Sequence, residues 1–215
     1  MSKNRTSVAL KQTLVIYDES SLLSWLLAII TLSPIFLYVA EACFILFRRE
    51  YFGLTLILGQ LINEIVNVAL KEIIAEPRPS PCEQSEYGMP SAHSQAMFFV
   101  TSCVIVTLSR RRHKPLSDWE KNFLYLFLIT CSLLVCFSRV YLGYHSVAQV
   151  IVGALVGCVV GYFWTLCFQE GNGGLLSLLK SVKALKLMYF KDSLECCHFL
   201  RREQLQCFKC EECTK

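Results

Sequence analysis

Three short clusters in this chain carry residue types that suit chemistry on a phosphate. Lys71 is followed by Arg78-Pro79, then by Pro90-Ser91-Ala92-His93-Ser94-Gln95, then by Ser138-Arg139 and His145. Arg grips phosphate oxygens through a planar fork, and Lys supplies a compact point charge. Two imidazoles at one phosphorus can divide a displacement, one attacking and one protonating the leaving oxygen. Ser91 and His93 stand where an apolar segment begins. A helix starting there offers free N–H groups and a positive dipole end to an anion. A metal centre is the rival use of two His. It lacks matching carboxylates, since Glu76, Glu83 and Glu86 are loop acids without ligand spacing. No HExxH, P-loop or GxSxG is present either.

These clusters must be positioned by apolar elements. The 215 residues are 54% hydrophobic and 18% charged, with a mean hydropathy of +0.45. Soluble domains carry about 25% charged residues. So much apolar content excludes disorder for most of the chain, and a short disulfide-stapled secreted scaffold does not fit. A net charge of +4 makes no case for a nucleic-acid surface. An all-α, polytopic membrane bundle remains.

A membrane helix needs about 20 mostly apolar residues. Five runs qualify: 22–47, 51–75, 96–108, 123–137 and 147–168. The first contains Pro34, which membrane helices tolerate. It reads as an uncleaved span, because the residues before it are polar and the run is too long for a signal peptide's apolar core. The last carries Gly153, Gly157 and Gly161 on one face, which permits close helix packing. On the second, Asn63, Asn67 and Lys71 recur every four residues and form a stripe, with Glu64 flanking it. Such groups are expensive in lipid. They either tie helices together or wall a site with Lys71 at its mouth.

With five spans, the loops after spans two and four share a side, so all three clusters meet at one membrane face. The opposite loops hold Arg48, Arg49, Arg110, Arg111, Arg112, Lys114 and Lys121, and the tail from Gly171 holds eight more basic residues. The excess of positive charge places those loops and the tail in the cytosol, and the clusters outside or in a lumen. Asn4-Arg5-Thr6, on the same side as the clusters, matches a sequon, either as a glycosylation acceptor or by chance.

Lys-x6-Arg-Pro, Pro-Ser-x-His and Ser-Arg-x5-His, in this order and at span ends, resemble the signature of the type 2 phosphatidic acid phosphatase superfamily. Here they read 71–79, 90–93 and 138–145. The pattern usually has Gly between Ser and His, and Asp four residues after the last His. This chain has Ala92 and Gln149. The wording 87–95 and 138–149, with the polar run from Asn63, looks like the branch that acts on dolichyl diphosphate. That resemblance covers roughly residues 20 to 170. It implies a cofactor-free and metal-free mechanism in which His145 attacks the terminal phosphorus and His93 protonates the leaving oxygen. Lys71, Arg78, Ser91 and Arg139 would hold the phosphoryl oxygens. Gln149 would orient His145 as an amide acceptor, without the charge of the missing Asp, leaving His145 less basic. The implied partner is a polyprenyl diphosphate lipid in the endoplasmic reticulum membrane, cleaved on the lumenal face to recycle a lipid carrier for protein glycosylation.

The expected organisation is a lumenal segment (1–21), a transmembrane phosphatase domain (22–169) and a cytosolic tail (170–215). In the tail, 175–190 alternates apolar residues with Lys180, Lys183 and Lys186, as in an interfacial amphipathic helix. Cys196-Cys197 suits palmitoylation, and Cys207, Cys210 and Cys213 with His198 suit zinc; a loosely ordered tail is the alternative. Cys82 is placed in the lumenal loop, and the other Cys of the spans read as small packing residues. A phosphatase for phosphatidate or a sphingoid base phosphate, a non-catalytic lipid-phosphate binder and a small channel are the competing functions. Nothing in the sequence fixes the oligomeric state.

Overall fold

The computed structural model describes residues 15, 21–79, 87–110, 116–169 and 175–190. The sequon, Cys82, Glu83, Glu86 and the tail cysteines lie outside the described residues. Among the described residues every helix-forming stretch found in the sequence is helical, and five spans are long and apolar enough to cross a membrane.

The first span is two helices in series. Helix α1 (Leu22–Thr31) starts at Ser21, whose side chain caps Ser24 N–H, and α2 (Ser33–Cys43) continues after Leu32 with Pro34 in its first turn. Pro has no N–H to give the preceding turn, so the α-helical ladder restarts there. A π-helical turn extends α2 to Arg48, and Arg49 ends it in the left-handed conformation. The second span is α3 (Tyr51–Ile74) and the third is α4 (Ala92–Arg110). Helix α4 begins four residues before its apolar run and so takes in His93 and Gln95. The fourth, α5 (Asp118–Tyr141), also begins early, because Ser117 and Glu120 form a reciprocal capping box. The fifth, α6 (Val147–Trp164), carries on as a π-helical turn to Gln169.

Helix α4 is central, packed on α3, α5 and α6. Phe99, Val100 and Cys103 of α4 form the core with Leu56 and Trp164. The glycine face of α6 is spent within the chain, against α4. A Cβ on Gly153 would stand 2.6 Å from Ser91 O, one on Gly161 2.6 Å from Phe99 O, and one on Gly157 would run into Gln95 O. Gly157→Ala should therefore force α4 and α6 apart and cost about 1–3 kcal/mol. A lowered melting midpoint in detergent checks this; an unchanged midpoint would show that the crossing can give.

The polar stripe on α3 fastens this helix to α4. Gln95 Nε2 donates to both Asn63 O (2.8 Å) and Asn63 Oδ1 (2.9 Å), and Asn67 Nδ2 donates to Gln95 Oε1 (2.8 Å) and Pro90 O (3.2 Å). Gln60 Nε2 adds a bond to Ala96 O (3.3 Å). Asn63 and Asn67 thus hold helices together, and Asn67 also ties down Pro90 in the loop that leads into Ser91 and His93. Glu64, one residue or about 100° round the helix from Asn63, is exposed and takes no part in this buried stripe.

The segment 175–190 forms two short helices, α7 (Leu175–Ser181) and α8 (Lys183–Leu187), where one amphipathic helix was expected. They are divided at Val182, whose backbone is extended. Phe190 closes on Tyr51, at the start of α3, with ring centroids 5.7 Å apart. This is the end of the bundle opposite His93 and His145.

Candidate active site

Each cluster is shaped by how a helix begins or ends. Helix α3 stops because Ala75 turns left-handed (φ 51°), its N–H closing on Lys71 O at 2.9 Å. Lys71 therefore lies in the last turn, where a cation suits the negative end of the helix dipole. Pro77 and Pro79 then keep their preceding residues extended, which holds Arg78 off any helix.

Helix α5 ends with a glycine reversal. Leu142 N–H bonds Ser138 O, Gly143 takes φ +75°, and the N–H groups of Tyr144 and His145 both donate to Arg139 O, at 3.1 and 3.2 Å. Gly tolerates this conformation without a Cβ penalty. The reversal explains the spacing from Arg139 to His145: the intervening residues are the turn that lays His145 back on Arg139. The Arg139 guanidinium is buried. It lies 4.1 Å over the Tyr144 ring, and its Nη1 donates to Thr31 Oγ1 at 3.2 Å. Thr31 belongs to the break in the first span, so that break supplies an anchor for the arginine.

Helix α6 opens with Ser146 as N-cap and Gln149 at the third helical position, a second capping box. Gln149 N–H donates to Ser146 Oγ (3.2 Å), and Ser146 N–H donates to Gln149 Oε1 (3.3 Å). His145 is the residue just before the cap, and its Nδ1 lies 3.0 Å from the same Gln149 Oε1. On the other side, Gln149 Nε2 is 2.9 Å from Glu76 Oε1 and 2.9 Å from Pro77 O. Both of these are acceptors, so the amide nitrogen must face them and the amide oxygen must face His145. An amide oxygen only accepts. Nδ1 of His145 therefore carries the hydrogen, and Nε2 is left as the nitrogen with the lone pair.

Ser91 is fully buried, and its N–H donates to Gln149 O at 3.1 Å, which stitches the start of α4 to the start of α6. Its hydroxyl accepts from Ser94 Oγ at 3.2 Å. Lys71, Arg78 and Arg139 lie within electrostatic reach of both His93 and His145, and the imidazoles are within reach of each other. The seven residues singled out in the sequence are thus gathered at one end of the bundle. Burial, followed by the charge of Arg139 and the lesser ones of Arg78 and Lys71, pushes the His145 pKa down from 6.5 to about 3. The hydrogen bond with Gln149 works in the opposite direction. Burial is the leading cause of this low basicity. Among the described residues, no three His, Cys, Asp or Glu are grouped to hold a metal ion.

Reasoning from sequence missed Glu76, Thr31 and Tyr144. Glu76 reads as a loop acid, yet its carboxylate binds the amide that holds His145. The signal available was Ser146-x2-Gln149, a capping-box spacing that fixes where the Gln149 side chain must point. Nothing in the spacing of Thr31 points to Arg139, 108 residues away.

Residues 51–172 match the PAP2 superfamily. The chain is 34% identical over 221 residues to a dolichyldiphosphatase of Saccharomyces cerevisiae, covering 97% of this chain and 90% of that protein. It is 36% identical over 167 residues to dolichyldiphosphatase 1 of Homo sapiens, covering 74% of this chain and 70% of that one. Among solved structures, a transmembrane PAP2 type phosphatidylglycerolphosphate phosphatase from Bacillus subtilis superposes with a TM-score of 0.57 at 26% identity. That match covers 73% of this chain and 80% of the bacterial one.

Proposed function

The chain belongs to the PAP2 superfamily, and from that premise we propose that it is a lipid phosphatase which hydrolyses dolichyl diphosphate to dolichyl phosphate and inorganic phosphate. The observation that carries the chemistry is the held tautomer: a buried His145 with Nδ1 engaged and Nε2 bearing the lone pair, among three cations. That nitrogen can attack phosphorus. Lys71, Arg78 and Arg139 would draw the terminal phosphate in and spread the charge of the transition state. Ser91, at the N-terminus of α4, adds the positive end of a helix dipole. His93 would protonate the departing oxygen and then deprotonate the water that clears the phospho-enzyme. The choice of dolichol rests on the two dolichyldiphosphatases, one of them similar over nearly the whole chain.

The same reading assigns the spans, 22–169, to the phosphatase domain, and puts the site on the lumenal face of the endoplasmic reticulum with the tail in the cytosol. The basic residues at the other end of the bundle, Arg48, Arg49 and Arg110 among them, support that orientation.

Phosphate release should be measured in detergent from dolichyl diphosphate, phosphatidate and a sphingoid base phosphate, with and without chelator. Release from dolichyl diphosphate that ignores the chelator is the expected result. Release lost on chelation would overturn the metal-free mechanism. Release from phosphatidate alone would replace the substrate, and release from none would leave a binding protein.

A further inference from the structure

We propose that Glu76 is a positioning residue for the phosphoryl transfer, its carboxylate acting on His145 through the Gln149 side-chain amide. This deepens the function proposed above and rests on it.

The Gln149 amide uses all of its hydrogen-bonding capacity. Its oxygen faces His145 Nδ1 and Ser146 N–H, and its two hydrogens go to Glu76 Oε1 and Pro77 O. The half-buried Glu76 is tied down at its backbone, where its carbonyl accepts from Gly88 N–H at 2.7 Å. Gly88 in turn lies flat against the amide. A Cβ there would stand 2.6 Å from both Gln149 Nε2 and Oε1, so only glycine fits. Glu76 therefore sits at the end of a fixed chain of donors and acceptors: imidazole to amide oxygen, amide nitrogen to carboxylate. Such chains polarise each member in turn.

The charge matters when the bond to phosphorus forms. The Nε2 lone pair makes an N–P bond as the bridging P–O bond breaks. The electron pair of that bond stays on the oxygen of the departing dolichyl phosphate, which His93 can protonate. The ring then bears both Nδ1–H and Nε2–P, and so carries a positive charge. The cations that lower the basicity of His145 also oppose this charge. A carboxylate two hydrogen bonds away favours it. Hydrolysis reverses the count: water bonds to phosphorus, the N–P electron pair returns to Nε2, and the water proton goes to His93.

Glu76→Gln keeps an oxygen acceptor for Gln149 and removes only the charge, whereas Glu76→Ala removes both. Hydrogen bonds to charged groups are worth enough to change a rate roughly ten- to a hundredfold. With terminally ³²P-labelled dolichyl diphosphate and an alkaline quench, E76Q should show a kcat about tenfold lower with KM nearly unchanged, and less labelled protein at steady state. E76A should be the slower of the two. E76Q with wild-type kcat and wild-type label would overturn the proposal, since the charge would then have no effect. Loss of KM and melting midpoint along with kcat in both variants would overturn it too, leaving a structural role. Failure of the underlying mechanism has a separate signature: wild-type protein that turns over but never takes up label, and in that case the role of Glu76 falls with it.

Discussion

His145→Ala should abolish phosphate release from dolichyl diphosphate, by on the order of 10⁴-fold or more, as removal of a nucleophile does elsewhere. The effect should fall on turnover and spare binding, because Lys71, Arg78 and Arg139 still attract the diphosphate. Alanine removes the nitrogen whose lone pair the Gln149 amide keeps available. The readouts are turnover, substrate binding and incorporation of labelled phosphate. Near wild-type turnover in the variant would remove the imidazole from the mechanism.

The same variant carries a pH signature that does not depend on catalysis. The His145 pKa is about 3 in the folded protein, against about 6.5 in an unfolded chain. Between these values the unfolded state binds a proton that the folded state does not. Stability therefore rises with pH across that window and is lost as pH falls through it. With His145 gone, the melting midpoint in detergent should fall less between about pH 7 and pH 4 than it does for wild type. An equal fall would mean that His145 is not held neutral. A low pKa also keeps the Nε2 lone pair available over the whole neutral range, and the negative charge of the bound diphosphate favours the positive ring that forms as Nε2 bonds to phosphorus.

How much of this was legible beforehand follows from what each feature depends on. The spans could be read because lipid demands long apolar helices, and the glycine face because its spacing puts small residues on one side of the helix and permits close packing. The clusters could be read because spans of known parity must return their ends to the same face. Helices begin ahead of their apolar runs wherever the first turn is polar. His93 and Gln95 lie inside α4, and 118–122 inside α5, because caps and hydrogen bonds set those boundaries. Contacts made by loops were not legible. Glu76 reaches Gln149 only because Ala75 turns left-handed and Gly88 lets the chain close in. Thr31 reaches Arg139 only because α1 and α5 pack together. Periodicity carries no information about such long-range side-chain meetings. The stripe on α3 shows the same limit. Its spacing announced a buried polar face, but only the positions of Gln95 and Pro90 show that Asn63 and Asn67 hold helices together while Lys71 faces the histidines.

His93→Ala should be the second most damaging change, with turnover reduced roughly 10²- to 10⁴-fold, the usual contribution of a positioned acid–base group. The two halves of the reaction should not suffer equally. When a diphosphate is cleaved, the departing oxygen belongs to a phosphate whose second pKa is about 6, so it can leave with little help from a proton. The water that attacks the phospho-enzyme starts from a pKa of about 15.7 and needs a base. Loss of His93 should thus slow the clearing of phosphate from His145 more than its loading. Labelled phosphate should persist on H93A well after it has left the wild-type protein, and H145A should take up none. A phosphate monoester of an alcohol, with a far more basic leaving oxygen, would lose its first step as well and leave no label to accumulate. H93A with lowered turnover and no retained label on the diphosphate would put the role of His93 in departure of the lipid phosphate, and would sink its assignment as the base for water.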